Sequence, residues 1–144
     1  MDKKYDALCL ENQLCFPLYA CAKEVVRRYT PFLNELDLTY TQYIAMMALW
    51  EKREMNVKSL GELLYLDSGT LTPLLKKLEA KGYISRKRAA KDERALTVTL
   101  TAEGERLKDK ALCIPQKMAA CVQLDKHDAA ELHRILHKLL NSFE

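Results

Sequence analysis

Glycine and proline are scarce in this sequence, with four residues of each among 144. Turn-rich β folds and flexible linkers need far more of both, so their scarcity favours a helical fold. Apolar residues make up 49% of the chain, which excludes an intrinsically disordered protein. The length suits a single domain with a real hydrophobic core.

Long apolar runs are also missing, and no stretch approaches the roughly 20 residues that span a membrane. The first ten residues, MDKKYDALCL, lack the apolar centre of a signal peptide. We therefore expect a cytoplasmic protein without membrane contact. A reducing compartment argues against a disulfide framework for the five cysteines. Their spacings also match no zinc-binding pattern.

Histidine is rare, and the three histidines lie near the end of the chain. His133 and His137 are four residues apart, so one helix face could present both to a metal. No HExxH motif accompanies them, and such a pair is more often a solvated helix face. We predict neither a metal nor a cofactor.

The net charge is small, but the charge is unevenly distributed. The 23 basic and 20 acidic residues leave only +3, which does not by itself indicate nucleic acid. Between Lys76 and Arg94, however, eight lysines or arginines stand against three acidic residues. Such a segment is typical of a surface that contacts phosphates, although it can also be only a solvated face.

Apolar residues recur at helical spacing in six segments. Pro17 fits best in a first turn, which places the beginning of the first helix near Asn12 to Leu14, with Asn12 as a possible cap. Pro31 implies a kink or a break just after Tyr29. The predicted helices are Leu8–Leu36, Thr39–Trp50, Asn56–Tyr65, Ser68–Lys81, Thr101–Cys121 and Lys126–Phe143.

Two short segments with alternating apolar residues, Tyr83–Arg86 and Ala95–Leu100, predict strands joined by a basic hairpin. A helix-turn-helix followed by such a hairpin is a winged helix, so the predicted fold is mainly α with a small β wing. The outer helices would leave apolar faces exposed on a monomer, which favours a homodimer on palindromic DNA. The expected parts are a dimerisation and sensor helix in residues 1–38, a DNA-binding core in 39–101 and C-terminal dimerisation helices in 102–144.

The helix before the hairpin carries side chains that can read DNA. Ser68, Thr70 and Thr72 offer hydroxyls to bases or phosphates, and Lys76 and Lys77 suit the phosphate backbone. In the hairpin, the candidate for a minor-groove guanidinium is Arg94, held by Asp92. The expected non-specific phosphate contacts are Lys87, Arg88 and Lys91.

Two runs of the sequence resemble a known family. LYLDSGTLTPLLKKLEAKGYISRKRAAKDERALTVTLTAEG resembles the core of the MarR family of regulators, and Asp92-Glu93-Arg94 is typical of their wing. QLCFPLYACAKEVVRRYTPFLNELDLTYTQYIAMMALWE resembles the organic-hydroperoxide-resistance repressors (OhrR) of that family. The resemblance covers about residues 10 to 120. It implies a homodimeric repressor, not an enzyme, that releases its operator when organic hydroperoxides oxidise it.

The resemblance also implies roles for individual residues. Cys15, in the QLCFxLY motif, matches the peroxidatic cysteine, and Tyr29 and Tyr40 match two tyrosines that hydrogen-bond its thiolate. Cys121 lies about where some members carry a resolving cysteine, which acts on the partner subunit. The DNA-reading positions map onto Asp67, Ser68, Thr70, Thr72 and Lys77 of the helix and onto Arg86, Asp92 and Arg94 of the wing.

The residues around Cys15 suit a peroxide sensor in part. In a first turn, free amides and the helix dipole favour the thiolate, which is the reactive form of cysteine. Tyr19, one turn on, is a further possible donor, and apolar neighbours suit an organic peroxide. Glu11 opposes ionisation.

Several alternatives stay open at this point. Cys15 can be a buried structural thiol in a repressor that a small aromatic ligand releases. Cys113 or a small thiol can take the place of Cys121. A thiol peroxidase or an architectural DNA-binding protein would be a different class; the first would turn over with a reductant, and the second would bind without sequence preference.

Overall fold

A computed structural model describes residues 2–89 and 92–144, without the side chains of residue 89 and of residues 92–94. Two short 3-10 helices, Lys3–Leu8 and Leu10–Asn12, precede the main elements. In chain order these are α1 (Cys15–Asn34), α2 (Tyr40–Lys52), β1 (Glu54–Asn56), α3 (Val57–Leu64), α4 (Ser68–Ala80), β2 (Ile84–Ala89), β3 (Asp92–Leu100), α5 (Ala102–Ala111), α6 (Ile114–Cys121) and α7 (Lys126–Asn141). The predicted winged helix, mainly α with a small β wing, is confirmed.

Helix α1 begins later and continues further than its prolines suggested. Asn12 does not cap it, because the side-chain Nδ2 of Asn12 donates to the carbonyl of Asp6 at 2.8 Å and the helix begins at Cys15. Of the kink or break predicted after Tyr29, the break is wrong, since the helix continues through Pro31 to Asn34, and the kink stays a prediction. Pro31 removes one backbone donor there without ending the helix.

Side-chain caps define the starts of the helices that follow. Thr39 and Gln42 form a reciprocal capping box at the start of α2. Asn56 accepts from the amide of Lys58 at the start of α3. Helix α4 ends before Gly82, whose φ of +83° is the left-handed conformation that glycine adopts without strain.

The strands form one antiparallel sheet in the order β1-β3-β2. Strand β1 was not predicted; Met55 in it pairs with Val98 of β3. On the other side of β3, Arg86 of β2 pairs with the same Val98. Strands β2 and β3 are longer than predicted, so less of the hairpin lies outside regular pairing.

The core lies between α2, α3, α4 and the sheet, and α5 packs onto it. Thr101 caps α5 by accepting from the amide of Gly104, whose carbonyl accepts from the Trp50 indole at 2.9 Å. A side chain at position 104 would collide with the carbonyl of Tyr83, so this close approach requires glycine. The buried apolar side chains of the core include Leu49, Leu60, Leu71, Leu75, Leu78, Ile84 and Val98.

The predicted helix Thr101–Cys121 is two helices, because the chain breaks at Leu112 and Cys113 between α5 and α6. Pro115 lies at the second position of α6, where its missing donor costs nothing. The chain forms two compact units, which divide between Ile114 and Pro115. Among the described residues no helix has the length and hydropathy of a membrane span.

Candidate nucleic-acid interface and thiol site

Helix α4 has one buried and one exposed face. Four leucines at helical spacing, Leu71, Leu74, Leu75 and Leu78, are buried. Asp67 caps the helix and accepts from the amide of Thr70 at 2.8 Å. The predicted DNA-reading side chains of this helix all lie on the exposed side: Ser68, Thr70, Thr72, Lys76 and Lys77.

The wing is held against α4 by a charged pair. The Arg86 amide donates to Glu79 Oε2 at 2.9 Å, and the Arg86 guanidinium donates to Glu79 Oε1 at 3.1 and 3.3 Å. The hydrogen bonds from the Arg86 side chain, then that from its amide, lower the pKa of Glu79 below its ordinary value of 4.5. Arg86, predicted as a DNA contact, thus has a second role that the sequence did not indicate.

The remaining wing predictions divide into two groups. Lys87 and Arg88 are exposed on β2, which suits phosphate contacts. The side chains of Asp92 and Arg94, and residue Lys91, lie outside the described part of the chain, and their predicted contacts stay predictions. Beside the wing, a groove of about 830 Å³ runs between α3, the beginning of α4 and β3, and includes Asp67 and Ser68 in its lining.

Cys15 is the first residue of α1, and its side chain is exposed. Leu14, Phe16 and Leu18 beside it are also exposed, Leu14 by 85%. The alternative of a buried structural thiol therefore does not hold within one copy of the chain. A first-turn thiol among apolar side chains faces free helix amides and can meet an organic molecule.

The predicted tyrosines form a ring cluster far from Cys15. Tyr29 of α1 lies 5.0 Å from Tyr40 and 5.7 Å from Tyr43 between ring centroids. Burial raises the pKa of each phenol above 10.0, and neighbouring phenols add to this at Tyr29 and Tyr43. All three remain hydroxyl donors at neutral pH. The sequence analysis did not identify Tyr43, although it lies one turn after Tyr40 on α2.

The distance along α1 separates this cluster from the thiol of the same chain. Fourteen residues at about 1.5 Å each put Tyr29 roughly 21 Å along the helix axis from Cys15. Tyr29 therefore does not reach Cys15 of its own chain. Tyr19 is exposed one turn after Cys15, with the Lys23 ammonium 5.2 Å from its ring centroid.

The other candidate ligands and thiols are spread over the chain. Cys121, the last residue of α6, is exposed and free, and so is Cys113 between α5 and α6. The Nε2 atoms of His133 and His137 are 3.1 Å apart on α7. Within residues 2–89 and 92–144, no third histidine, cysteine or carboxylate joins them to make a metal cluster.

The sequence of this winged helix is similar to those of known transcriptional regulators. A family model described as "Transcriptional regulator SarA/Rot" matches residues 27–111. The organic hydroperoxide resistance transcriptional regulator of Bacillus subtilis is 46% identical over 142 residues, which cover 99% of this chain and 97% of the relative. The chain belongs to the OhrR branch of the MarR family. It is a DNA-binding transcriptional regulator and not an enzyme.

Solved structures of this family have the same fold. Reduced AbfR bound to DNA is 31% identical, with a TM-score of 0.81 and coverage of 97% of this chain and 96% of that one. A structure of AbfR, a protein of Staphylococcus epidermidis, with its disulfide formed has a TM-score of 0.62 at 31% identity. This match covers 97% of this chain and 93% of that one. A mutant MarR of Escherichia coli complexed with operator DNA, at 22% identity, shares the fold with a TM-score of 0.82, covering 97% and 99%. The OhrR-type chain described here is thus more similar to the reduced, DNA-bound form of AbfR than to the disulfide form.

Proposed function

We propose that this regulator is a homodimeric repressor that organic hydroperoxides release from a palindromic operator by oxidising Cys15. The observation that carries the proposal is the position of Cys15, exposed in the first turn of α1 on an apolar surface. Its relatives support the chemistry, since one is a regulator of organic hydroperoxide resistance and another has structures in reduced and disulfide forms.

The exposed apolar faces support a dimer. Within the chain α7 has no buried residue, and Leu132, Ile135 and Leu139 are exposed on it by 37–47%. Helix α1 buries only Leu33. Apolar helix faces of this kind stay soluble when a second copy covers them, and a twofold pair presents two copies of α4 to a palindromic site.

The dimer also supplies what one chain lacks at the thiol. Tyr29 and Tyr40 are donors, but Cys15 of their own chain lies about 21 Å from Tyr29 along α1. We propose that they donate to Cys15 of the second copy. The sensor is then complete only in the dimer, and an apolar wall from both copies surrounds the thiolate.

The proposed chemistry has two steps. The Cys15 thiolate attacks the terminal peroxide oxygen, and an S–O bond forms as the O–O bond breaks. The alkoxide leaves and takes a proton from water to become the alcohol; sulfur is oxidised by two electrons to the sulfenic acid, and the peroxide is reduced. A second thiol then displaces hydroxide from the sulfenic acid, giving a disulfide and, with a proton, water. Cys121 of the second copy is our first choice for that thiol, ahead of Cys113 or a small thiol.

On DNA, we propose that α4 enters the major groove and the wing lies along the backbone. Ser68, Thr70 and Thr72 face the bases or their flanking phosphates, and Lys76 and Lys77 neutralise phosphates. Asp67 holds the start of the helix in shape. In the wing, the proposed DNA contacts are Arg86, Asp92 and Arg94.

A binding assay tests the switch. A palindromic duplex selected by the protein from random DNA is bound in reducing buffer and then treated with one equivalent of cumene hydroperoxide. We expect release for the native chain and retention for Cys15→Ser. If both complexes survive, or both dissociate alike, the redox proposal is wrong. Dissociation by salicylate instead, with no response to peroxide, would support the small-ligand alternative.

Mass spectrometry identifies the second thiol. After one equivalent of peroxide, non-reducing digestion should yield a peptide that joins Cys15 to Cys121. A peptide that joins Cys15 to Cys113, or Cys15 carrying an added small thiol, would replace Cys121 in the mechanism and leave the role of Cys15 intact.

A further inference from the structure

The geometry points to Lys81 as a positioning residue that ties the end of the reading helix α4 to the turn between α1 and α2. Lys81 is the C-cap of α4, directly after the helix that carries the proposed base contacts. Its ammonium does not extend into solvent along the wing. It reaches across to residues 37 and 42, which lie about 40 positions earlier in the chain.

Three oxygens surround the three donors of the Lys81 ammonium. The carbonyl oxygen of Asp37 accepts one hydrogen bond, Asp37 Oδ2 lies 3.5 Å from Nζ, and Gln42 Oε1 lies 3.3 Å from it. The Lys81 side chain is only 26% exposed. An ammonium has three donors and no acceptor, so this arrangement is nearly complete. Its place at a helix C-terminus adds a favourable dipole interaction.

Gln42 makes the attachment rigid. It is 3% exposed and is a buried polar residue in a core of apolar side chains. Its Oε1 accepts from the Thr39 amide at 3.1 Å as part of the α2 capping box and also from Lys81. Both lone pairs are therefore in use, and the amide oxygen cannot shift toward one donor without losing the other.

Asp37 connects the attachment to α1. It lies in the left-handed region at φ 53°, three residues after the end of α1. The Asp37 amide donates to the carbonyl of Asn34 at 3.1 Å, and the Leu38 amide to that of Leu33 at 3.0 Å. The turn is thus hydrogen-bonded to the last residues of α1, and a shift of that end of the helix would displace two of the oxygens that hold Lys81.

Lys81 thereby links the helix that carries the thiol to the helix that reads DNA. In the reduced protein it fixes the orientation of α4. When oxidation of Cys15 moves α1, the same contacts transmit that movement to α4. This last step rests on the proposed peroxide switch, whereas the positioning of α4 in the reduced protein does not.

The test compares operator binding by reduced protein at several salt concentrations. Lys81→Met should weaken affinity about tenfold, since it removes hydrogen bonds to a charged group. The slope of affinity against salt should stay unchanged, because a positioning residue neutralises no phosphate. Lys81→Arg, which keeps charge and donors, should bind within about threefold of the native chain. Circular dichroism and thermal unfolding confirm that each variant is folded.

Asp37→Asn separates positioning from simple electrostatics by the sign of its effect. Asparagine tolerates the left-handed conformation, so the turn is preserved while the carboxylate is removed. If charge alone mattered, losing a negative charge would strengthen DNA binding. Positioning by Lys81 predicts weaker binding instead, by about threefold, because one of its three partners loses its charge.

The outcomes decide between the roles. If Lys81→Met binds with native affinity, Lys81 is idle and the inference is overturned. It is also overturned if Lys81→Met binds more weakly with a salt slope reduced by about one and Asp37→Asn binds more tightly, because Lys81 then contacts a phosphate. The ratio of oxidised to reduced dissociation constants should also shrink in Lys81→Met by about threefold. If peroxide leaves native binding unchanged, the switch fails, and the reduced-state comparison still decides the role of Lys81.

Discussion

Helices α4 and α7 carry similar apolar patterns but bury them differently. The leucines of α4 at positions 71, 74, 75 and 78 are buried in the core of the same chain. On α7, apolar residues recur at comparable spacing and none is buried. The pattern identifies an apolar face in both helices. Whether a face is covered from within the chain depends on the tertiary structure.

The proposed DNA-binding surface and the proposed thiol sensor also differ in how far one chain buries the side chains around them. The side chains proposed to read DNA project from a helix whose leucines are buried within one chain. Cys15 lies among side chains that one chain leaves exposed, and the proposed tyrosine donors are out of reach in the same chain. A sensor that a second copy completes can respond to changes at the interface between copies.

The largest expected effect is a loss of stability when a buried leucine of α4 is truncated. Leu78→Ala should lower the free energy of unfolding by about 2–5 kcal/mol, since it leaves a cavity at a fully buried position. Chemical denaturation measures this loss. Leu112→Ala is the matched control, because Leu112 is 79% exposed between α5 and α6, and should change stability by less than about 0.5 kcal/mol. Equal losses for both variants would contradict the assigned core.

A charge on the exposed face tests the other side of the comparison. Leu132→Glu should raise the dissociation constant of the dimer by about 100-fold, since a buried carboxylate without a partner costs several kcal/mol. Ala130→Glu places the same carboxylate about 200° around α7 and should leave association unchanged. Sedimentation velocity measures both. A monomeric native chain, or equal effects of the two variants, would remove α7 from the interface.

Local chemistry made much of the fold predictable. Thr39 and Thr101 have the hydroxyls that cap helices, Gly82 has the freedom a helix end needs, and the spacing of the α4 leucines indicated their burial. Strand β1 was not predictable, because its three residues become a strand only through pairing with β3. The break at Leu112 did have a local signal, because Pro115 suits the first turn of a new helix, and the predicted helix was continued past it.

The candidate site was predictable by type of residue and less so by geometry. Pro17 indicated that Cys15 lies in the first turn, and the structure places it there, but the exposure of its thiol was not predicted. Fourteen helical residues already place Tyr29 about 21 Å from Cys15 along α1, whereas the contact of Tyr29 with Tyr43 emerges only in the folded chain. The Glu79–Arg86 pair and the Lys81 contacts join residues whose proximity arises only from the folded turn and wing.

Removing the cap of α4 should have a moderate effect. Asp67→Ala loses the acceptor for the Thr70 amide and should cost about 1 kcal/mol of stability. Asp67→Asn keeps a capping oxygen and should remain close to native stability. Denaturant unfolding of the pair separates capping from charge, because a loss of the same size in both variants would mean that the carboxylate charge matters more than the cap.

The smallest effect is expected where the wing meets α4, and it depends on pH. Because Arg86 lowers the pKa of Glu79 in the folded chain, the pair stabilises the fold above the ordinary value of 4.5 and loses this contribution as pH falls through the lowered value. Glu79→Gln should therefore melt below the native chain at neutral pH, and the difference in Tm should shrink as the pH falls through the lowered pKa of Glu79.

Glu54→Gln makes the same chemical change on β1 and shows the general effect of removing one exposed carboxylate. The informative quantity is the difference between the two variants at each pH. If the deficit of Glu79→Gln stays constant or grows as the solution is acidified, the Arg86 contact does not stabilise the wing through the ionised carboxylate. If the deficit disappears on acidification and operator affinity falls only slightly at neutral pH, the contact between Glu79 and Arg86 stabilises the fold of the winged helix and takes no part in the proposed peroxide response.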